Sequence, residues 1–365
     1  MDQNASQNPL RSRACPTYLI GLASLILVVV FWVGSSFLTR RILAEYDKPF
    51  MMCYLTNLSF LLYFVFLVVE DPVKRLEKSD AKPSELPPFT KREISNIAFV
   101  FFALYLASNY ATNIAFGATS VGSASILAST CGFFTLFFGW MMGVEVLSLF
   151  RILAVFISVG GVLLLGIPEF SSEDTRTLGN SFALVGAVLY GVYSIFLKKV
   201  SIDESRISMP LLFAFGGLYT LGLAWIVLLG LHVSGIEVLE WPSYDAVKLI
   251  LINVFLGGFI PNYLWNVAFV CTSPLVVAIG ISFNIPLTLL VEYLEEGTFH
   301  AYRTAAGVCV VVGFIIVNLS SIYPQWDLAA EGMLVRAGIM KKGNAKSTEE
   351  RTAQLRAELI ERSSA

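Results

Sequence analysis

Asn109-Tyr-Ala-Thr-Asn-Ile-Ala-Phe-Gly-Ala-Thr-Ser120 is the stretch that decides the fold, because the chain carries it twice. The second copy, Asn262-Tyr-Leu-Trp-Asn-Val-Ala-Phe-Val-Cys-Thr-Ser273, begins 153 residues later and agrees at seven of twelve positions. Each copy closes one apolar segment and stands directly before another. Repetition inside apolar segments is the mark of secondary transporters built from two related bundles. Other pairs keep the same order. Trp32-Val-Gly-Ser-Ser36 with Arg40-Arg41 parallels Tyr190-Gly-Val-Tyr-Ser194 with Lys198-Lys199 at an offset of 158, and Arg151 and Gly161 parallel Arg303 and Gly313 at 152. One short apolar match recurs by chance; an ordered set at near-constant offset indicates duplication.

Composition places these segments in a membrane. Of 365 residues, 56% are hydrophobic and 14% charged, with a mean hydropathy of +0.71. A soluble domain carries about 25% charged residues, so this chain lacks the polar surface to enclose so much apolar sequence. Its 28 Phe and 14 Tyr suit lipid contact and membrane interfaces. A net charge of −2 without a basic block gives nucleic-acid binding no support. Cys15, Cys53, Cys131, Cys271 and Cys309 form no ligand-like pair, and structural disulfides are not expected. The first apolar stretch, 17–38, exceeds a signal h-region of about 7–15 residues and runs into Arg40-Arg41, so it reads as an anchor.

A crossing helix needs about 20 apolar residues. Ten segments qualify: 17–38, 50–69, 94–115, 121–142, 149–167, 178–197, 208–230, 246–269, 273–293 and 301–320. The expected fold is therefore all-α integral membrane, with ten transmembrane helices in two inverted five-helix repeats. An odd number of spans per half forces the second half to insert the other way up. Its divisions are an N-tail (1–16), a first repeat (17–167) with a flexible loop at 70–93, a second repeat (178–320) and a C-tail (321–365). Placing both termini in the cytoplasm puts 19 Lys and Arg on that side. Arg40, Arg41, Lys48, Arg176, Lys248 and Arg303 fall on the other, which is the expected bias.

Polar side chains at depth need partners or a cavity, because an unsatisfied amide in lipid costs several kcal/mol. Asn109 and Asn113 share one helix face, as do Asn262 and Asn266. Two readings stay open for them, clamps between helices or walls of a substrate site. Deeper candidates are Ser36, Tyr54, Asn57, Tyr190, Tyr193 and Asn284, the last just before Pro286, which opens the helix a turn earlier. No Asp, Glu, Lys or Arg falls at the centre of a span. The nearest charges are Lys198, Lys199, Arg303 and Glu292, candidates for coupling or charged contacts, or else ordinary interfacial groups. His232 and His300 are the only histidines, so catalysis, metal binding and cofactors are not expected.

Phe31-Trp-Val-Gly-Ser-Ser-Phe37, Lys48-Pro49-Phe50, Tyr54-Leu-Thr-Asn57 and Asn262-Tyr263 with Thr272-Ser273-Pro274 resemble the F subgroup of the solute carrier 35 family. The likeness is to its member-5-like and fungal vacuolar-membrane branches, within the EamA-like drug/metabolite transporter superfamily. It implies a ten-helix carrier with a central cavity and cargo among nucleotide sugars, other metabolites or vitamins. Superfamily carriers of guanosine sugars have a Gly-x-x-Asn-Lys run; here Gly280-Ile-Ser-Phe-Asn284-Ile285 is spaced differently and lacks the Lys.

The expected activity is secondary transport, by alternating access, of a small uncharged or cationic metabolite, vitamin-like or nucleoside-like. A nucleotide-sugar exchanger and a non-transporting receptor or scaffold are the alternatives. Expected partners are a small-molecule substrate, the lipid bilayer and a second copy of the chain in a homodimer, with no nucleic acid. The expected location is an internal membrane, vacuolar, lysosomal or Golgi.

Overall fold

A computed structural model describes residues 15–65, 89–144, 149–169, 174–201, 207–272, 274–298 and 300–322, and every regular element among them is helical. In chain order these are α1 (Cys15–Glu45), α2 (Pro49–Leu58), α3 (Lys91–Ala118), α4 (Val121–Ala128), α5 (Cys131–Met141), α6 (Leu149–Glu169) and α7 (Asp174–Ser201). There follow α8 (Met209–Tyr219), α9 (Trp225–Val233), α10 (Tyr244–Asn253), α11 (Ile260–Cys271), α12 (Pro274–Ser282), α13 (Asn284–Glu296) and α14 (Ala301–Ile322). A 3-10 turn at Ser59–Phe64 extends α2, and π-helical turns at Thr220–Ala224 and Val254–Phe259 join α8 to α9 and α10 to α11.

The expectation of ten transmembrane helices in inverted five-helix repeats is corrected by this geometry. Among the described residues six helices are long and apolar enough to cross a membrane: Tyr18–Glu45, Lys91–Ala118, Val121–Met141, Thr175–Val200, Met209–Val233 and Tyr244–Ala268. Three other expected spans form shorter apolar helices, Pro49–Phe64, Phe150–Leu164 and Ala301–Ile316. The segment expected at 273–293 breaks at Phe283 between α12 and α13. Hydropathy counts apolar residues, but it does not see where the backbone leaves the helical ladder. A broken helix is tolerated at membrane depth where neighbouring protein covers its freed polar groups. The flexible loop at 70–93 lies outside the described residues up to 88, and the two tails lie outside them almost entirely.

Small residues set the helix crossings. On α7, Gly186 faces Ser108 and Thr112 of α3, and Ala183 shares a buried cluster with Ala115 of α3. Lipid tails are as apolar as Leu, so close backbone approach, rather than apolar burial alone, holds such pairs together. The Ser108 hydroxyl donates across this seam to the Gly186 carbonyl at 2.8 Å. The same device recurs between α6 and α14, where Gly161 faces the Ala306 carbonyl and Gly313 faces the Ala154 carbonyl. It also recurs at the ends of the repeated motif. Gly179 abuts Ala118-Thr119, and Gly21 on α1 abuts Cys271-Thr272.

One loop is tied down by a carboxylate. Glu237, between α9 and α10 and only 4% exposed, accepts hydrogen bonds from the Phe50 amide at 2.9 Å and the Met51 amide at 3.4 Å. Those are free donors of the first turn of α2, where a negative charge is favoured. The Tyr46 hydroxyl donates to the Glu240 carbonyl at 2.8 Å in the same loop.

Candidate functional site

Ile97, Phe101, Tyr105 and Asn109 follow one another at four-residue intervals, so α3 presents them as one stripe. Tyr193 of α7 meets this stripe, with its ring 5.1 Å from Phe101 and 5.6 Å from Tyr105. Tyr190 lies one turn away, 4.9 Å from Tyr193. Phe60 and Tyr63 of the 3-10 turn and Phe213 of α8 complete the wall. Phe259 and the second copy of the repeat also reach this cluster. Tyr63 packs on Phe259 at 4.9 Å and donates its hydroxyl to the Phe259 carbonyl at 3.1 Å, while Tyr263 lies against the same cluster. The cluster thus combines stacked rings with phenol hydroxyls.

The expected site residues distribute as follows. Asn109 and Asn262 occupy equal places in the two copies and make equal bonds. Each side-chain amide donates to a carbonyl one turn back, to Tyr105 at 3.0 Å and to Gly258 at 2.6 Å. Asn113 reaches the Pro49 carbonyl on α2 at 3.2 Å, an interhelical clamp. Asn266 is half-buried on α11. Asn57 is buried and its amide points to the Cys53 sulfur at 3.6 Å; that thiol in turn faces the Leu106 carbonyl on α3. Tyr54 is buried beside Trp225, at 6.3 Å between rings. The Ser36 hydroxyl is turned back onto the Trp32 carbonyl.

Tyr190, Tyr193 and Asn109 therefore meet at one cluster, while Asn57 is turned to Cys53 on α2. Asn284 sits apart at the start of α13, its side-chain oxygen buried with no hydrogen-bond partner among the described residues. Lys198 and Lys199 are exposed in the last turn of α7. Glu292 and Arg303 meet each other at 3.3 Å, both side chains nearly fully buried.

The pattern of the EamA-like transporter family matches residues 19–167. A Schizosaccharomyces pombe protein named as an uncharacterised transporter is 32% identical over 331 residues, covering 84% of this chain and 97% of its own. The chain belongs to the EamA-like transporter family. The thiamine-repressible mitochondrial transport protein of Saccharomyces cerevisiae is 31% identical, covering 82% of this chain and 92% of its own. An uncharacterised vacuolar membrane protein of the same yeast is 30% identical, at 83% and 91%. A solved crystal structure shares the fold alone, with a TM-score of 0.54, 17% identity and coverage of 84% of this chain and 98% of that one. As a member of the EamA-like family, the chain is a multi-pass membrane transporter and not an enzyme.

Sequence reading missed one central residue of this EamA-like transporter. Asn253, buried at the end of α10, accepts from the Ser35 hydroxyl at 2.7 Å and donates to the Thr39 hydroxyl at 2.9 Å, joining α10 to α1. Gly257, one turn on, leaves room for Ser35. Its signal in the sequence is an isolated Asn inside the apolar run 246–269, which has no counterpart in the repeated motif nine residues later.

Proposed function

We propose that this chain moves a small uncharged or cationic organic solute, vitamin-like or nucleoside-like, across an internal membrane by alternating access. The observation that carries the reading is the grouping of Phe101, Tyr105 and Tyr193, with Tyr190 against Tyr193 and Asn109 one turn beyond Tyr105, which offers ring faces, phenols and an amide. Ring faces attract a desolvated cation or stack on a heterocycle, each contact contributing about 0.5–2 kcal/mol. The Asn109 side-chain oxygen and the phenol hydroxyls supply the donors and acceptors that orient a polar solute. Rings, phenols and an amide suit such a cargo, whereas a diphosphate calls for Lys or Arg donors within the pocket. The name of the thiamine-repressible relative fits a cationic heterocyclic vitamin, and that of the vacuolar relative an internal membrane.

Uptake by purified protein in proteoliposomes, screened against cationic vitamins, nucleosides and nucleotide sugars, tests the proposal. Uptake of a compound from the first two groups is expected, reduced about 2- to 10-fold in Tyr193→Phe and Asn109→Ala, the loss set by one hydrogen bond. Lys198→Ala should leave that uptake unchanged. Exclusive transport of nucleotide sugars, lost in Lys198→Ala, would replace this reading with the exchanger.

A further inference from the structure

Five stretches of chain end around one cavity of about 310 Å³, at the end of the bundle where α1 finishes and α7 begins. Its lining brings Arg40 from α1, Arg176 from the first turn of α7 and Arg303 from the first turn of α14 into one space, with His300 and Tyr302 beside them. Among the described residues one carboxylate, Glu296, joins them in the lining, 3.8 Å from Arg40. Glu292 lies behind, held at 3.3 Å by Arg303, and fits against Gly122 in the first turn of α4, where a Cβ would strike the carboxylate. Among the described residues, Arg40 pairs with Glu296 and Arg303 with Glu292, and Arg176 adds a third guanidinium to the lining.

A second observation comes from the wall of the same space. Thr119, at the join of α3 and α4, is 5% exposed and lines the cavity, yet its hydroxyl oxygen is buried without a hydrogen-bond partner among the described residues. A buried hydroxyl left unmatched is costly, and a turn of the Thr119 side chain toward the cavity would let a ligand oxygen satisfy it. Ser120, the N-cap of α4, stands next to it, at a helix end that favours negative charge.

We propose that this cavity binds a phosphate group, gripped by Arg40, Arg176 and Arg303 and hydrogen-bonded by Thr119. Guanidinium forks match phosphate oxygens two at a time, and the volume leaves room for a substituent on the phosphate. The site is separate from the aromatic cluster: Arg176 and Tyr190 lie fourteen residues apart on α7, about 21 Å along the helix. It therefore does not depend on the cargo proposed above. The phosphate can come from a soluble compound or from the headgroup of an anionic phospholipid, and the test separates the two.

Full-length protein is placed in nanodiscs of phosphatidylcholine alone and in discs containing phosphatidic acid, and its unfolding temperature is read with and without inorganic phosphate at low salt. A rise with inorganic phosphate in phosphatidylcholine discs assigns a soluble ligand; a rise confined to phosphatidic acid discs assigns a lipid headgroup. Either rise should weaken at least tenfold in ligand concentration for Arg176→Gln, whose exposed position spares the fold. Arg176→Lys should retain part of it, and Arg41→Gln, exposed outside the lining, all of it. No rise in either disc overturns the site, as does an equal loss in Arg41→Gln and Arg176→Gln.

Discussion

Glu292 and Arg303 illustrate what a single contact settles at the residue scale. Both sit near helix ends, where long charged side chains commonly reach for water or headgroups. Instead each buries the other, with side chains 6% and 7% exposed. Removing one partner of such a pair strands the other charge, at a cost of about 3–5 kcal/mol, whereas replacing both is close to neutral. Glu292→Gln should therefore lower the unfolding temperature in detergent sharply, and Glu292→Gln combined with Arg303→Met should recover most of the loss. Equal destabilisation by single and double variants would show that the pair contributes little as a unit. The asparagines of the repeat were legible in type and spacing, but not in use. Asn109 and Asn262 bond back to their own helices while Asn113 clamps α2, a difference that depends on which neighbour passes overhead.

Among elements, the loop between α9 and α10 responds to pH. Burial raises the Glu237 pKa above the ordinary carboxylate value, against the opposing pull of the Phe50 and Met51 amides, the Tyr110 hydroxyl and the Lys48 charge. A raised native pKa means that the folded protein holds this proton more tightly than the unfolded chain. Its contribution is complete below the unfolded carboxylate value and fades as pH rises through the native one. Thermal unfolding followed from about pH 4 to pH 7 should show a component that weakens toward neutrality and is absent in Glu237→Gln. The α1–α10 tie makes a second prediction. Asn253→Ala removes two interhelical hydrogen bonds, and such bonds in membranes average about 0.6 kcal/mol and reach about 1.7. A loss in that range is expected from steric-trap or denaturant unfolding, and a neutral result would show Ser35 and Thr39 finding new partners. The helices at these seams were readable as apolar runs, while the break at Phe283 carried only the weak sign of Pro286 three residues on.

For the whole molecule, the membrane frame rests on helices such as α7, whose 28 residues extend about 42 Å, enough to cross the hydrocarbon core. Arg176 and Lys199, near its two ends, should face opposite compartments. On a cysteine-free background, Arg176→Cys and Lys199→Cys should each react with a membrane-impermeant maleimide from one side only, and from different sides. Labelling of both from the same side would remove α7 from the membrane-crossing set.

Amino-acid order alone established an apolar, sparsely charged chain whose internal repetition marks a membrane transporter, because hydropathy and repeated spacing are properties of the string itself. It also supplied the small residues at helix seams and the amides and phenols available for a polar solute. How many segments form unbroken crossings, which asparagine clamps and which bonds to its own helix, and that Arg40, Arg176 and Arg303 share a cavity were decided only by the tertiary structure. Those outcomes depend on which faces meet across gaps of more than a hundred residues, and helix packing fixes that through backbone approach at glycine and alanine rather than through any local pattern.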